Sequence, residues 1–271
     1  MDYKKSMQKS IQSIQNSYIK ELFQLKEKSR SRKKYGLFLI EGLREISLAI
    51  KGGFEIETLL YDSSIISVTQ IEELKLTNNF ELIEISNEVY KKLAYRETTE
   101  GIIAVAKNKI NSLDQLKFKT KHPLILVAEA PEKPGNIGAL LRTADAAGVD
   151  AVLIANPKTD IFNPNIIRSS VGCVFTTQIA QGSTTEIIDF LKTKNISIYC
   201  AALTASVPYE TVNYKESSAI VVGTEATGLS DEWLENSNKN VIIPMNGIID
   251  SLNVSVSAAI IIYEAVRQRN F

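Results

Sequence analysis

Three stretches of this chain place polar side chains where their types and spacing suit chemistry better than packing. The first, Pro134-Gly135-Asn136-Ile137-Gly138, leads into Arg142, Asp145 and Gly148. Its glycines allow close backbone approach, and a helix starting there offers free N–H groups to an anion. Arg142, one and a half turns in, suits either a charged ligand or an ordinary surface ion pair. The second stretch is Gly223-Thr224-Glu225-Ala226-Thr227-Gly228, where a carboxylate between two glycines can orient an arginine or a ribose. The third is Ser251-Leu252-Asn253-Val254-Ser255, at the start of a strongly apolar segment. Ser and Asn commonly cap helices, but three such side chains in five positions exceed what a cap needs, and the stretch reads as a ligand floor. Neither glycine loop is a dinucleotide fingerprint, and neither has the lysine of a phosphate-cradling loop.

The remaining composition narrows the chemistry. With 271 residues, 44% hydrophobic and 23% charged, the chain can hold one large domain or two small ones with ample core. A single histidine, His122 beside Pro123, argues against imidazole chemistry and reads as surface linker. Cys173 and Cys200 have neither metal spacing nor a disulfide framework, so a reduced, cytoplasmic setting without a metal is expected. No apolar run reaches the length of a membrane span, and MDYKKSMQKS lacks the apolar middle of a secretion signal.

The three stretches need a scaffold to bring them together. Apolar runs at 124–130, 151–155, 174–180, 196–203, 219–223 and 241–243 read as strands. They alternate with helices at 137–147, 166–170, 185–194 and from Asn253 onward, which implies a parallel sheet covered on both faces. In such sheets ligands bind beyond the carboxyl ends of the strands, where all three polar stretches lie. The last helix is apolar on nearly every side and is expected to be buried all round. Ahead of this unit, residues 11–28 read as an amphipathic helix and 26–35 as a basic turn. Strands at 37–42, 57–61, 80–85 and 101–106 then alternate with helices at 43–51, 68–76 and 87–94, the last capped by Ser86, in a small α/β unit. The expected organisation is a first domain over 1–106, a lysine-rich linker over 107–120 and a second domain over 121–271.

The formal net charge of zero hides an uneven distribution. Residues 1–36 carry ten Lys/Arg, among them Lys26, Lys28, Arg30, Arg32, Lys33 and Lys34, against three acids, a net +7. A basic arm on an otherwise acidic chain points to a polyanion partner, or to no more than a solvated helix face.

Taken together, Asn136-x-Gly138-x-x-x-Arg142-Thr-Ala-Asp-Ala-x-Gly148, Gly223-x-Glu225-x-x-Gly228, and Ile243-Pro244-Met245 followed by Ser251-Leu252-Asn253-Val254-Ser255 resemble the three ordered motifs of the SpoU (TrmH-like) RNA ribose 2'-O-methyltransferases. The resemblance covers residues 121–271. The preceding unit, notably Phe38-Leu39-Ile40-Glu41-Gly42, looks like the L30e-like RNA substrate-binding domain that often stands ahead of them.

The resemblance implies an α/β fold of the SPOUT class, with a parallel sheet and a C-terminal trefoil knot through which residues 241–267 are threaded. It also implies a homodimer through the C-terminal domain and S-adenosylmethionine as methyl donor. By residue, it implies a cofactor pocket at Leu203, Gly223, Ile243, Met245 and Leu252, largely through main-chain atoms. The implied catalytic group is Arg142 with Asn136, Glu225, Ser251 and Asn253. RNA contacts are expected at Lys26, Lys28, Arg30, Arg32, Lys33, Lys34 and Arg168. The last of these opens Arg168-Ser169-Ser170-Val171-Gly172-Cys173, which resembles the family's loop and helix near the substrate; Cys173 reads as packing, not as a nucleophile. Because a guanidinium is effectively always protonated, Arg142 is expected to bind phosphate and polarise the 2'-hydroxyl, with Ser251 or Asn253 holding the 2'-oxygen.

The expected function is therefore methylation of a ribose 2'-hydroxyl in structured RNA, ribosomal RNA before transfer RNA. A catalytically silent RNA-binding protein of ribosome assembly is the alternative of a different class. The intact Asn136, Arg142, Glu225, Ser251 and Asn253 speak against silence, and Ser251-Leu252-Asn253 argues for ribose over base.

Overall fold

The computed structural model describes residues 9–76, 79–96, 100–204, 206–224, 227–249 and 251–270. The chain divides into two compact units, Met1–Lys109 with Phe162–Arg168, and Ile110–Ile161 with Ser169–Phe271.

In the first unit, β1 (Lys9–Ile11), β2 (Leu37–Glu41), β3 (Ile56–Tyr61), β4 (Glu81–Ile85) and β5 (Ile102–Lys107) form one sheet in the order β1-β4-β3-β5-β2. It is mixed: β1, β4 and β3 run parallel, and β5 is antiparallel to both β3 and β2. Helices α1 (Ser17–Glu27), α2 (Ser29–Tyr35), α3 (Leu43–Lys51), α4 (Val68–Glu72) and α5 (Asn87–Leu93) cover it. Ile19, Leu22 and Leu25 of α1 and Val89, Tyr90 and Leu93 of α5 build a core with Leu60, Ile83, Ile103 and Val105. Phe38 stacks on Phe162 at 4.2 Å between ring centroids, so the 162–168 segment is anchored to this unit by an aromatic contact.

Two expectations for this unit change. The first helix starts at Ser17, not at residue 11, because Asn16 caps it through Tyr18 N and Ile11 is taken into β1 beside Ile85. The basic turn is a helix, α2, separated from α1 by the extended Lys28 and closed by Gly36 in the left-handed region at φ 66°. Lys and Arg are good helix formers, and Arg32 folds back to donate to the carbonyls of Leu25 (2.7 Å) and Lys26 (3.1 Å) at the end of α1.

The second unit holds β6 (Leu124–Glu129), β7 (Ala151–Ala155), β8 (Ile179–Gly182), β9 (Ser197–Ala201), β10 (Ser206–Pro208), β11 (Ser218–Val222) and β12 (Lys239–Ile242). All seven are parallel, in the order β10-β12-β9-β11-β6-β7-β8. Between them in sequence come α6 (Pro134–Ala147), α7 (Pro164–Ser169, which belongs to the first unit as far as Arg168), α8 (Cys173–Thr176), α9 (Thr184–Thr193), α10 (Asp231–Glu235) and finally α11 (Val254–Asn270). The parallel, doubly covered sheet is as the apolar runs require. On one face Ile125, Val127, Leu153 and Val221 meet Ile187 and Leu191 of α9 and Trp233 of α10. Helices α6 and α11 pack against each other, α11 also lying on β11 and β6. Strand β12 lies beyond β9 although β11, the strand before it in sequence, lies inside it, so the chain recrosses the sheet there. This is the path expected to be knotted.

Local differences have physical causes. Helix α6 begins at Pro134, three residues before the apolar pattern starts, since proline suits the first helical position. The run 174–180 reads as one strand but is the single turn α8, with β8 starting only at Ile179. Thr176 Oγ1 donates to Asp145 of α6 at 3.1 Å, and Gln178 donates to the Asp150 and Lys117 carbonyls, contacts a longer strand would forfeit. The polar stretch after Lys107 is not free chain: Leu113, Leu116 and Phe118 pack on the second unit's core, and Asn111 bridges Ala180. Helix α11 is not covered all round within one chain. Ala258, Ile261, Ile262 and Ala265 are buried, while Val256 and Tyr263 are 45% and 49% exposed. Its end is fastened by Arg269, whose guanidinium donates to the carbonyls of Tyr214 (2.8 Å), His122 (2.7 Å) and Glu216 (2.6 Å).

Candidate active site

The sheet register dictates where the polar stretches meet. Val241 pairs with Ala201, Cys200 with Val221, and Val222 with Ala128. Leu203, Gly223, Ile243 and Glu129 therefore stand at one edge, at the carboxyl ends of β9, β11, β12 and β6. Gly223 has no room for a side chain: a Cβ there would fall 2.6 Å from Leu229 N and onto the backbone of Gly228. The loop it opens is closed by reciprocal backbone bonds between Thr224 and Gly228 (3.0 and 3.1 Å) and by the Thr224 and Thr227 hydroxyls at 2.8 Å. Glu225 lies outside the described residues.

Beside this loop the edge is apolar and open. Leu203 is 63% exposed, and Ile248 and Ile249, which sequence reasoning passed over, are exposed as well. Ile243, Met245 and Leu252 are half-buried. Main-chain groups beyond the last ladder bonds, next to exposed aliphatic side chains, suit a ligand that is part apolar plane and part hydrogen-bonding tail.

The asparagines come together across the fold. Asn253 Nδ2 donates to Asn136 Oδ1 at 3.2 Å, joining the starts of α11 and α6. Asn253 is also the cap of α11: its Oδ1 accepts from Ser255 N (3.0 Å) and Ser255 Oγ (2.6 Å), and its carbonyl accepts from Val256 and Ser257. It therefore serves as both cap and link. Ser251 is exposed just before it. Gly138 lets α6 approach the 169–170 segment, where a Cβ would sit 2.7 Å from Ser170 N. Arg142 is exposed on α6, and its charge acts on the Cys173 thiol. Burial, reinforced by Asp145, nevertheless pushes that thiol above its ordinary range, in keeping with packing and not nucleophilic chemistry.

The basic arm divides. Lys28, Arg30, Lys33 and Lys34 are exposed. Arg32 is only 4% exposed and spent on α1 carbonyls, which removes it from the expected phosphate contacts. Lys26 is held by the carbonyls of Ala94 (2.7 Å) and Lys92 (3.2 Å), and burial lowers its ammonium's pKa. Arg168 is exposed, 5.9 Å from the Tyr95 ring centre.

Sequence reasoning also missed Glu129. It is buried, and it accepts from Ser230 N (2.8 Å), Ser230 Oγ (2.7 Å) and Thr184 Oγ1 (3.2 Å). The available signal was an acid closing the otherwise apolar run LILVAE.

Comparison with known proteins bears on the same motifs. A model of the SpoU rRNA Methylase family matches residues 123–263, and one of the MRM3-like substrate binding domain matches residues 16–104. The chain is 32% identical to the 23S rRNA (guanosine(2553)-2'-O)-methyltransferase RlmP of Bacillus subtilis, over 94% of this chain and 98% of that protein. A solved RNA 2'-O ribose methyltransferase is similar with a TM-score of 0.83 at 40% identity, over 97% of this chain and 100% of that one. The SpoU methyltransferase AviRb from Streptomyces viridochromogenes, solved in complex with the cofactor AdoMet, has a TM-score of 0.86 at 29% identity, over 94% and 98% of the two chains.

The double role of Asn253 is testable by stability. Asn253→Ala removes cap and link and is expected to cost about 1–2 kcal/mol in urea unfolding. Asn253→Asp keeps the capping acceptor and gives up only the donor to Asn136, so its cost should be smaller. Equal losses would place the whole effect in the link.

Proposed function

We propose that this chain, which belongs to the SpoU rRNA Methylase family, methylates a ribose 2'-hydroxyl of ribosomal RNA with S-adenosylmethionine as methyl donor. The observation that carries the reading is the meeting of three separate sequence motifs at one sheet edge, in a chain that the Bacillus subtilis methyltransferase matches over 94% of its length.

S-adenosylmethionine supplies an already activated methyl group, so the protein's task is to bind, align and polarise. Leu203, Gly223, Ile243, Met245 and Leu252 line its pocket, mainly through backbone groups, and the absence of a Cβ at Gly223 lets the 223–228 loop lie against the strand end. Arg142 binds a phosphate of the substrate and lends its charge to the 2'-oxygen as the proton leaves to water, because a guanidinium donates and does not accept. Ser251 holds the 2'-oxygen in line. Asn136 and Asn253 fix the floor beneath it, and Glu225 orients Arg142. The first unit, with Lys28, Arg30, Lys33, Lys34 and Arg168, supplies phosphate contacts.

Two chains form the working unit. The apolar face that α11 leaves open, with Val256 and Tyr263, is the surface a second copy covers. Tyr263→Glu should convert the dimer to monomer in sedimentation; a wild-type monomer at micromolar concentration would refute the arrangement. Among the described residues no helix is long and apolar enough to cross a membrane, and a cytoplasmic location fits access to ribosomal RNA.

The activity itself is read by alkaline hydrolysis of methyl-labelled RNA. A 2'-O-methyl group leaves an alkali-resistant dinucleotide, whereas label in mononucleotides would mean base methylation. In that assay Arg142→Lys should lower the single-turnover rate on the order of 10–100-fold, by loss of the fork that stabilises developing charge. Full activity would deny the guanidinium any geometric role. For the RNA contacts, Lys33→Ala with Lys34→Ala should flatten the salt dependence of binding by roughly one to two units of slope. Arg32→Ala should leave the slope unchanged and lower stability instead. The opposite pattern would return Arg32 to the binding surface.

A further inference from the structure

We propose that Glu129 is a positioning residue for the methyl-donor pocket: through Ser230 it fixes the far end of the loop that Gly223 begins. The inference rests on the reading of that loop as part of the S-adenosylmethionine site.

The loop has two feet. One is Gly223, immediately beyond β11 and pressed onto Gly228. The other is Ser230, two residues beyond Gly228. Glu129 ends β6, the strand paired with β11 through Ala128 and Val222. By taking both Ser230 N (2.8 Å) and Ser230 Oγ (2.7 Å), the carboxylate plants the second foot on the neighbouring strand end. The span of the loop is then set by the spacing of two paired strands, about 4.8 Å. A charged acceptor makes such bonds shorter and stronger than a neutral one.

Ser230 shows that this link is not incidental helix capping. It occupies the N-cap position of α10, where a serine hydroxyl ordinarily accepts from the helix's own N–H groups, yet it makes no side-chain cap bond there. Its hydroxyl goes to Glu129 instead. Glu129 Oε1, the oxygen that takes the Ser230 hydroxyl, also reaches out a second arm by accepting from Thr184 Oγ1 (3.2 Å), and Thr184 is tied to Asn156 by bonds of 2.9 and 3.3 Å. That arm leads to α9, away from the loop. One carboxylate thus braces the sheet edge and sets the loop, with Oε1 shared between the two, and a change at Thr184 or at Ser230 cuts one arm while the donor of the other stays.

The test is calorimetric titration of the full-length protein with S-adenosylmethionine, with and without ribosomal RNA, together with KM and kcat for the donor. Ser230→Ala and Glu129→Ala should weaken binding about tenfold and raise KM correspondingly, with kcat at saturating donor little changed. Glu129→Gln should restore most of the affinity, since its amide oxygen can take Ser230 N–H while its NH2 faces the two hydroxyls. Thr184→Val, which cuts only the bracing arm, should bind like wild type. Unaltered affinity in Ser230→Ala, or an equal loss in Thr184→Val, would overturn the proposal while leaving the pocket assignment standing. Wild-type protein that binds no S-adenosylmethionine under either condition would instead overturn the pocket reading, and this inference with it. Should Glu129→Ala fail to fold, Ser230→Ala, altered at an exposed position, decides alone.

Discussion

The site depends on one constraint, the burial of both faces of the central strands in a parallel sheet. Every residue of 124–129, 151–155 and 218–222 is buried. Polar chemistry placed there would be costly, so it is displaced to the carboxyl edge, where the strands all finish on one side. Because β12, β9, β11 and β6 are neighbours in space but scattered in sequence, residues as far apart as Glu129 and Ile243 emerge side by side. The interleaved path of the last strands thus assembles a site from three separate loops.

Much of this was legible from residue patterns. Apolar runs located nearly all the strands, and glycine, asparagine and serine spacing located the loops at their ends. What was not legible lay where tertiary contacts overrule local preference. The β-branched run around Val174 looks like a strand, yet its first half is a helical turn packed on α6. The basic stretch around Arg32 looks like a solvated turn because charge pattern does not reveal which cation will find carbonyls to serve. The lysine-rich stretch after Lys107 looks like a linker, and the three apolar residues that dock it are too few to show a period. The role of Glu129 was hidden because its partners are 55 and 101 residues away.

The arginines illustrate how one side chain is put to opposite uses. Arg32 and Arg269 turn their forks onto backbone carbonyls at chain ends or helix junctions, where several donors on one rigid plane satisfy acceptors that no secondary structure reaches. Burial lowers the Arg269 pKa, but a guanidinium starts so high that it remains charged and keeps those bonds. Arg30, Arg142 and Arg168 are exposed instead. In sequence these five of the chain's eight arginines carry equal charge; geometry sorts them into fasteners and exposed cations.

The polar groups at the site edge differ in the same way, and this governs how any change there will be felt. Asn253 caps α11 while reaching Asn136, and Glu129 braces α9 while seating Ser230, so the framework and the pocket share atoms. Such sharing holds the edge rigid without extra residues, and rigidity is what alignment of two reactants requires. Its cost is that loss of one of these groups disturbs fold and function together. Arg142 and the lysines of α2, Lys33 and Lys34, are exposed and not built into that edge. The asparagines, Gly223 and the buried Glu129 are, by contrast, parts of the sheet's own edge, and a substitution there alters the scaffold before it alters any contact to a ligand.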